Sequence, residues 1–336
     1  MVISNTRIVI IVVYIISYII VLIIGLVGYY VGNVYYNHNE SSITYNQEQE
    51  TVTVNHLQGT TVVPKNPKRV VVMDIGVLDS LDYLDIHPEM LATCSSYLPK
   101  YIDKYKDNTV DIGQMKNVDI EKINATKPDL IIISGRQSPY YKQLSEIAPT
   151  IDLSIDNNNY LVSFENKMRI LGEIFDKEDM VTNRLFAIKS KIDTIRADSR
   201  NKNKYGLLVL TTGNSLHAYG PGMRYSFVFD VFGLQTVVNK DRNEDTKSPG
   251  GKTISYEYIL ETNPDYIMVI DRDFSVNLGE SAKRLFDNDL IKKTKAYQTN
   301  NIYYLDSDIW YLSGGGLESI DIMMDDISNI LNNQGE

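Results

Sequence analysis

A 16-residue unit occurs twice in this chain, and this repeat constrains the fold more than any other feature. Residues 121–136 (EKINATKPDLIIISGR) align without a gap to residues 257–272 (EYILETNPDYIMVIDR). Both copies begin with Glu, carry Pro-Asp in the middle and end with Arg. Because the two copies lie far apart in the sequence, the repeat predicts two lobes of similar plan.

Each copy is typical of a helix, a turn and a buried strand. A candidate N-cap residue precedes the Glu, which lies in the first turn, where the helix dipole favours an anion. Pro-Asp ends the helix, and an apolar strand follows. In a wound α/β sheet, helix N-termini and strand C-termini lie at the same end of the lobe, where ligands bind. That end should carry Glu121 with Arg136 in one lobe and Glu257 with Arg272 in the other. Alternatively, each Glu only satisfies the helix dipole and each Arg is a solvated strand terminus.

Short apolar runs rich in β-branched residues predict buried strands at 69–73, 130–133, 207–210, 267–270 and 302–305. Runs that are apolar throughout are typical of parallel strands covered on both faces. Helical stretches separate them, so the sequence indicates an α/β protein with parallel sheets. A hairpin is predicted at 51–63, and a helix is predicted from Asp74 to about Leu84.

The middle of the chain has a different pattern. Between residues 163 and 199, apolar residues recur at helical spacing, with a break at 176–179. This pattern predicts one or two long helices, placed where they could join the two lobes.

The N-terminus contains an uncharged run from residue 8 to residue 32. A bilayer core needs about 20 apolar residues in a helix, so we interpret this run as a transmembrane anchor. Arg7 precedes it, which predicts that residues 1–7 are cytoplasmic and the rest of the chain is extracellular. Residues 33–50 are polar and predict a spacer. The alternatives are a cleaved signal peptide, whose apolar region is normally shorter, and a buried core helix.

Composition excludes several kinds of function. The chain has one cysteine, Cys94, so an internal disulfide and a cysteine-based zinc site are excluded. Its net charge of −10 argues against nucleic acid as a partner. Against this acidic background, a local group of arginines is informative.

Two further segments carry candidate binding residues. Arg224 follows Gly-Pro-Gly-Met and precedes an apolar run at 225–232 that predicts a helix, so it lies where a helix N-terminus favours an anion. Near the C-terminus, Trp310 and Tyr311 precede a glycine run at 314–316. These two aromatic residues form either a ligand-contacting wall with a free phenol or a hydrophobic corner packed under a turn.

Together these segments resemble the iron–siderophore substrate-binding proteins of ABC importers, particularly the catecholate and petrobactin type. The resemblance rests on residues 51–84, 118–137, 218–233, 254–272 and 302–319. It implies the periplasmic-binding-protein fold of class III, with two Rossmann-like lobes joined by a rigid interlobe helix. On this basis we assign residues 51–160 to the N-terminal lobe, 161–183 to the interlobe helix and 184–334 to the C-terminal lobe.

The resemblance also implies roles for individual residues. Arg136, Arg224 and Arg272 match the family's arginines that bind the anionic iron–catecholate centre. Tyr311 matches a tyrosine that ligates iron directly when the siderophore leaves coordination sites open. The family's permease-docking glutamates match two residues of the repeat, Glu121 and Glu257.

One departure from the family's pattern changes the expected ligand. Relatives carry a histidine just before the segment that matches 254–257, and it completes the iron shell. Here residues 247–252 are Lys-Ser-Pro-Gly-Gly-Lys, so Lys247 or Lys252 could supply charge in place of the histidine. This change favours siderophores that already saturate their iron.

We therefore expect a monomeric, membrane-anchored binding protein that captures a ferric siderophore and delivers it to an ABC-importer permease. It would need no cofactor of its own, since the ferric iron is carried within the ligand. Tyr225 and Trp310 are expected to stack on the ligand or to offer cation–π partners to arginine. The alternatives are a haem- or cobalamin-binding protein of the same fold, an anchored hydrolase and an interaction module without a transport role. The hydrolase is disfavoured because no Ser/His/Asp pattern surrounds His217.

Overall fold

The structure is a computed structural model that describes residues 43–46, 50–238, 251–276, 278–279 and 282–333. The predicted cytoplasmic segment 1–7 and the predicted transmembrane segment 8–32 lie outside these residues. Within the described ranges, no helix combines the length and apolarity needed to cross a membrane. The predicted spacer is described only at residues 43–46 and 50. It contains a strand at Ile43–Asn46, which the polar composition did not predict.

The strands are β1 (Ile43–Asn46), β2 (Thr51–His56), β3 (Gly59–Pro64), β4 (Arg69–Val72), β5 (Met90–Thr93), β6 (Val110–Asp111), β7 (Leu130–Ile133), β8 (Thr150–Asp152), β9 (Tyr205–Thr212), β10 (Ser215–Tyr219), β11 (Gln235–Thr236), β12 (Lys252–Ile254), β13 (Tyr266–Asp271) and β14 (Ile302–Tyr304). The α-helices are α1 (Ile75–Tyr83), α2 (Ile120–Ala125), α3 (Tyr141–Ser145), α4 (Tyr160–Ile174), α5 (Glu178–Lys202), α6 (Phe227–Asp230), α7 (Tyr256–Thr262), α8 (Arg272–Ser275), α9 (Ala282–Phe286), α10 (Lys295–Gln298) and α11 (Ser319–Asn333).

The first lobe is built on a parallel sheet with the strand order β6-β5-β4-β7-β8. Strand β7, which lies between β4 and β8, is buried at every position, as expected for a strand covered on both faces. Helix α1 begins directly after β4. Asp74 caps it by accepting a hydrogen bond from the backbone N–H of Val77, as the sequence predicts.

The second lobe is built on a mixed sheet with the order β12-β10-β9-β13-β14, and β11 also pairs with β9. Strands β9, β11, β13 and β14 are parallel, but β10 runs antiparallel to β9 and β12 antiparallel to β10. The prediction of purely parallel sheets is therefore wrong at this edge. The physical reason is the dipeptide Gly213-Asn214 between β9 and β10. With Gly213 at φ +58°, this dipeptide closes a tight hairpin.

The predicted hairpin at 51–63 is present as β2 and β3, and β1 pairs with β2 on its other edge. Val52, Val54 and His56 alternate along β2 and are buried. The hairpin is tied to the first lobe through His56, whose Nδ1 accepts a hydrogen bond from the backbone N–H of Asp152 at 3.3 Å.

Helices α4 and α5 connect the last strand of the first sheet, β8, to the first strand of the second, β9. The predicted interlobe segment 161–183 contains most of α4 and the beginning of α5. The chain turns between the two helices at Asp176, which has φ +53°. Phe164, Met168 and Leu171 on α4 are fully buried, in agreement with the helical spacing of apolar residues in the sequence.

Candidate ligand-binding cleft

The backbone brings the predicted arginines to the carboxyl ends of the two sheets. Arg136 lies in the turn that follows β7, and Arg272 is the first residue of α8, directly after β13. Arg224 lies in the turn between β10 and α6. That helix has only four residues, so the helix predicted at 225–232 is formed only at Phe227–Asp230.

Tyr311 is the centre around which the three arginines gather. It lies in a helical turn at Asp308–Ser313, which follows β14. The guanidinium carbon of Arg224 is 4.6 Å from the centroid of the Tyr311 ring, and those of Arg136 and Arg272 are each 5.9 Å from it. The structure thus brings together four residues that lie 175 positions apart in the sequence at their extremes.

Hydrogen bonds hold two of the arginines on Tyr311. The Nε of Arg272 donates to the phenol oxygen at 3.1 Å, and Arg224 Nη2 donates to the Tyr311 carbonyl oxygen at 2.7 Å. Arg272 also contacts Asp273 Oδ1 at 3.3 Å, which partly neutralises it. In the part of the chain that the structure describes, neither Arg136 nor Arg224 forms an ion pair. Two guanidinium charges therefore remain available to an anion.

The charges around Tyr311 change its acidity. Burial alone would raise the pKa of the phenol, but the hydrogen bond from Arg272 and the three guanidinium charges outweigh burial and lower it. The pKa of Arg136 is also lowered, first by desolvation and then by the charge of Arg224. The shift of Tyr311 reports an excess of positive charge, to which the repulsion between Arg136 and Arg224 also belongs, and an anionic ligand would relieve it.

Arg136, Arg224 and Tyr311 line a cleft between the two lobes, and Arg272 is joined to this lining through its bond to the Tyr311 phenol. The empty volume of the cleft is about 740 Å³, counting the space open to solvent. The first lobe contributes Asp74, Met115 and Arg136, and the second contributes Arg224 and Tyr311. A ligand in the cleft would therefore contact both lobes.

A buried ion pair lies in the wall of the cleft, and the sequence analysis did not identify it. Lys167 on α4 is 3% exposed, and its Nζ is 3.1 Å from the Asp74 carboxylate. Its position in the sequence carried a signal, because it lies three residues after Phe164 and four before Leu171, on the apolar face of the helix. A lysine on a buried face needs a carboxylate partner. Here the pair neutralises an acid that would otherwise repel an anion.

Trp310 is placed beneath the cleft. Its side chain is 1% exposed, its indole nitrogen donates to Asp326 at 2.8 Å, and its ring stacks on Phe227 at 5.9 Å. This position matches the hydrophobic-corner interpretation. Direct contact between Trp310 and a ligand stays a prediction.

Tyr225 is also largely buried, with 2% of its surface exposed. The Arg224 guanidinium carbon lies 5.1 Å from its ring centroid, so Tyr225 supports that arginine through a cation–π contact. Its hydroxyl has no hydrogen-bond partner among the described residues. Burial raises its pKa, so the phenol is neutral. Its contact with a ligand stays a prediction.

The predicted docking glutamates are exposed in the first turns of their helices. Glu121 follows the N-cap Asp119 of α2, and Glu257 follows the N-cap Ser255 of α7. The pKa of Glu257 is lowered by hydrogen bonds from its own backbone N–H and from Ser255. Both carboxylates lie at the helix N-termini, the same end of each lobe as the arginines.

The described residues contain no group of three or more His, Cys, Asp and Glu side chains that could hold a metal ion. Of the predicted candidates for an extra charge near the cleft, Lys247 lies outside the described residues. Lys252 is exposed, with its Nζ 5.5 Å from the ring centroid of Tyr258.

The two-lobed α/β fold and the cleft between its sheets are those of a periplasmic binding protein. The profile of that family matches residues 70–309, so the chain belongs to it. This confirms the family predicted from the sequence.

Among curated relatives, the chain is 43% identical over 270 residues to the petrobactin-binding protein YclQ of Bacillus subtilis, covering 80% of this chain and 84% of YclQ. It is 31% identical over 278 residues to the ferric-anguibactin-binding protein FatB of Vibrio anguillarum, covering 80% of this chain and 84% of FatB. The crystal structure of YclQ superposes with a TM-score of 0.80 at 42% identity, covering 84% of this chain and 99% of that one. The periplasmic catecholate-siderophore binding protein VctP of Vibrio cholerae superposes with a TM-score of 0.77 at 35% identity, covering 83% of this chain and 100% of the VctP chain.

Proposed function

We propose that this protein captures an anionic ferric siderophore of the catecholate type outside the cytoplasm and delivers it to an ABC-importer permease. The observation that carries the proposal is the gathering of Arg136, Arg224 and Arg272 around Tyr311 in the cleft between the lobes. The names of the relatives support it, since YclQ binds petrobactin and VctP binds catecholate siderophores.

The charges of such a ligand match those of the cleft. In a tris-catecholate complex, six phenolate oxygens surround Fe³⁺ and leave a net charge of about −3, opposite in sign to the two unpaired guanidinium groups and the partly neutralised Arg272. Each charge-assisted hydrogen bond in such a site contributes about 1.5–3 kcal/mol. Because the ligand is multivalent and touches both lobes, its binding would also hold the lobes together.

Tyr311 gives the site a second mode of binding. A phenol with a lowered pKa is a suitable oxygen ligand for Fe³⁺ when a siderophore leaves coordination sites open. The family's histidine has no match at residues 247–252, so the tyrosine would act without that partner. We therefore expect saturated hexadentate complexes to be the main ligands.

The proposal describes a binding protein and not an enzyme, as the names of the relatives suggest. Three of the four histidines lie in the described residues and none lines the cleft. His56 is buried in the hairpin, His87 pairs with Asp85, and His217 lies beside Thr253. A histidine base beside a nucleophile is therefore missing from the cleft residues that the structure describes.

The partners follow from the same reading. We expect Glu121 and Glu257 to dock onto arginines of the permease. We also expect residues 8–32 to hold the protein in the membrane as a monomer, with residues 1–7 in the cytoplasm.

The proposal is tested by titrating the purified full chain, in detergent micelles, with ferric tris-catecholate, ferric hydroxamate, haem and cobalamin. Trp310 is the chain's only tryptophan, so its fluorescence reports on the floor of the cleft. We expect the ferric tris-catecholate to bind most tightly. Binding of haem or cobalamin alone would contradict the siderophore proposal and favour the alternative ligands of this fold.

Arginine variants test the residues that carry the proposal. Arg224→Ala or Arg272→Ala should weaken binding of the ferric tris-catecholate at least tenfold, because each removes a charge-assisted contact worth about 1.5–3 kcal/mol. Arg284→Ala is the matched control, since Arg284 is exposed on the second lobe and bonds Asn214 at 3.0 Å. Equal affinities for all three variants and the wild type would contradict the proposal that the cleft arginines bind the anionic ligand.

A further inference from the structure

Asp79 is a fully buried carboxylate on α1 of the first lobe, and its hydrogen bonds reach into the second. It accepts from the backbone N–H groups of Glu318 and Ser319, at 2.8 Å each, where helix α11 begins. It also accepts from the Tyr101 hydroxyl at 2.8 Å. A side chain from one lobe therefore caps a helix that lies about 240 positions further along the chain.

The glycine run before α11 allows this close approach. A Cβ on Gly316 would lie 2.3–2.6 Å from the Asp79 carboxylate, and a Cβ on Gly76 would lie 2.8 Å from the backbone carbon of Gly315. The N–H of Leu317 also donates to Ser80 at 3.2 Å. The segment 314–319 is thus packed onto the first two turns of α1. Glycine is needed at the contact because a Cβ would collide with the facing atoms.

The same segment carries Tyr311 at its other end. Gly314 donates its N–H to the carbonyl of Ile309 at 2.9 Å, so the turn containing Tyr311 runs directly into the glycine run. Tyr311 in turn holds Arg224 by its carbonyl oxygen and Arg272 by its phenol. Fixing residues 314–319 therefore fixes the orientation of two of the three arginines.

We propose that Asp79 is a positioning residue for Tyr311: by anchoring residues 314–319 to the first lobe, it sets the place of the phenol among the arginines and thereby determines affinity for the ferric ligand. This inference rests on the proposed function, since it concerns binding in the same cleft.

The variant Asp79→Asn keeps the shape of the side chain and replaces one acceptor oxygen with an NH₂ group. That group faces backbone N–H donors, so at least one of the bonds to 318 and 319 is lost. We expect binding of the ferric tris-catecholate to weaken at least tenfold. A milder variant, Tyr101→Phe, removes one donor and should weaken binding two- to fivefold.

The chain offers a matched control one turn further along the same helix. Asp82 accepts from the Tyr105 hydroxyl at 2.8 Å, which repeats the Asp79–Tyr101 pairing, but its other recorded partner is Lys104 of the first lobe. Tyr105→Phe therefore removes the same kind of bond away from residues 314–319. Its affinity should stay within twofold of the wild type.

A double-mutant cycle separates positioning from general destabilisation. If Asp79 acts through Tyr311, the tenfold loss caused by Asp79→Asn should shrink to threefold or less in a Tyr311→Phe background. The same shrinkage is expected for Tyr101→Phe, which keeps the test available if Asp79→Asn does not fold. Equal losses in both backgrounds would overturn the inference while leaving the proposed function intact. Failure of the wild type to bind any ferric catecholate would overturn the proposed function and, with it, a role for Asp79 in binding.

Hydrogen exchange on the ligand-free protein gives a readout independent of affinity. In Tyr101→Phe and Asp79→Asn, amides of residues 308–319 should exchange at least tenfold faster than in the wild type, while those of β7 stay unchanged. Unchanged exchange at 308–319 would show that Asp79 does not hold this segment and would overturn the inference.

Discussion

At the scale of single residues, the tyrosines of the cleft show how neighbours determine the chemistry of one side chain. Burial raises the pKa of Tyr160 and Tyr225, and nearby Asp79 and Asp74 raise that of Tyr160 further. The pKa of Tyr311 shifts in the opposite direction because three guanidinium groups surround it. The cleft therefore contains two phenols whose ionisation is disfavoured and one, Tyr311, whose ionisation its neighbours favour. We expect Tyr311, and not the other two, to serve where iron needs a phenolate ligand.

Protonation of His56 would break hydrogen bonds that hold the β2–β3 hairpin in place. Its Nδ1 accepts hydrogen bonds from the backbone N–H groups of Gln58 and Asp152, at 3.3 Å each, and its Nε2 bonds Thr61 at 2.8 Å. This arrangement requires a neutral ring with the proton on Nε2. Burial lowers its pKa, and the nearby charge of Asp152 only partly opposes the shift. The Tyr141 ring closes the remaining side, 5.6 Å away.

This geometry predicts a loss of stability in acid. Because the folded-state pKa lies below the ordinary value of 6.5, the unfolded chain binds more protons as pH falls below that value. The contribution of His56 is therefore complete above pH 6.5 and is lost as pH falls towards the folded-state pKa. Between about pH 7.5 and 5, the melting temperature of the wild type should fall more steeply than that of His56→Gln, whose side chain does not titrate. Parallel curves would contradict this prediction.

At the scale of elements, the repeat shows which parts of the fold can be predicted from a short segment of sequence. Asp129 and Asp265, the aspartates of the two Pro-Asp pairs, perform the same task in both lobes. Asp129 accepts from the backbone N–H of Arg69 at the start of β4, and Asp265 from that of Tyr205 at the start of β9, at 2.9 and 2.8 Å. The repeated Pro-Asp thus joins each strand to its parallel neighbour, and the helices and strands of both copies lie where the sequence predicts them.

Other elements could not be predicted because their structure depends on distant partners. Strands β5 and β8 are short and carry small or polar residues, so neither shows the continuous apolar run that marks β4 and β7. They are defined by pairing, β5 with β4 and β6, and β8 with β7. The site was likewise predictable in its arginines, which end apolar strands or follow glycines. The role of Asp79 was not, since it depends on contacts about 240 positions away.

Helix α1 offers a test of the close contact with the glycine run. Alanine normally favours a helix over glycine by about 1 kcal/mol, so Gly76→Ala would be stabilising in an exposed helix. Here its Cβ would meet the Gly315 backbone carbon at 2.8 Å and oxygen at 2.9 Å. Backbone atoms cannot rotate away, so we expect a net destabilisation of about 1–3 kcal/mol. Urea unfolding measures it. Asn183→Ala, at an exposed position of α5, should instead give a small gain, and a gain for Gly76→Ala would contradict the packing argument.

At the scale of the whole molecule, the largest of the three buried apolar clusters among the described residues extends across both lobes. It contains Val70 and Leu130 of the first sheet, Leu208 and Met268 of the second, and Phe164 of the connecting helix. Hydrogen bonds also join the lobes, including that from Ser226 to the carbonyl of Asn157 at 2.5 Å. Because separating the lobes would expose this cluster, we expect only modest closure on binding.

The delivery step is a property of the whole molecule, and its test separates docking from binding. Glu121 and Glu257 are exposed at the helix N-termini of different lobes, so together they offer one anionic contact per lobe. Replacing both, as Glu121→Arg with Glu257→Arg, should leave the affinity for the ferric tris-catecholate within twofold of the wild type. Uptake of radiolabelled iron, in cells that depend on this protein, should fall at least tenfold because the arginines would repel those expected on the permease.

A matched control lies on the same helix as Glu257. Glu261 is also exposed on α7 but lies one turn further from the N-terminus, so Glu261→Arg changes the same charge away from the expected contact and should preserve uptake. The unfolding free energy of each variant must be measured as well, since a cation in the first turn of a helix costs about 0.3–1 kcal/mol. A loss of that size leaves a stable fold and does not explain a tenfold loss of uptake. Uptake that persists in the double variant would show that the permease recognises another surface of the two lobes.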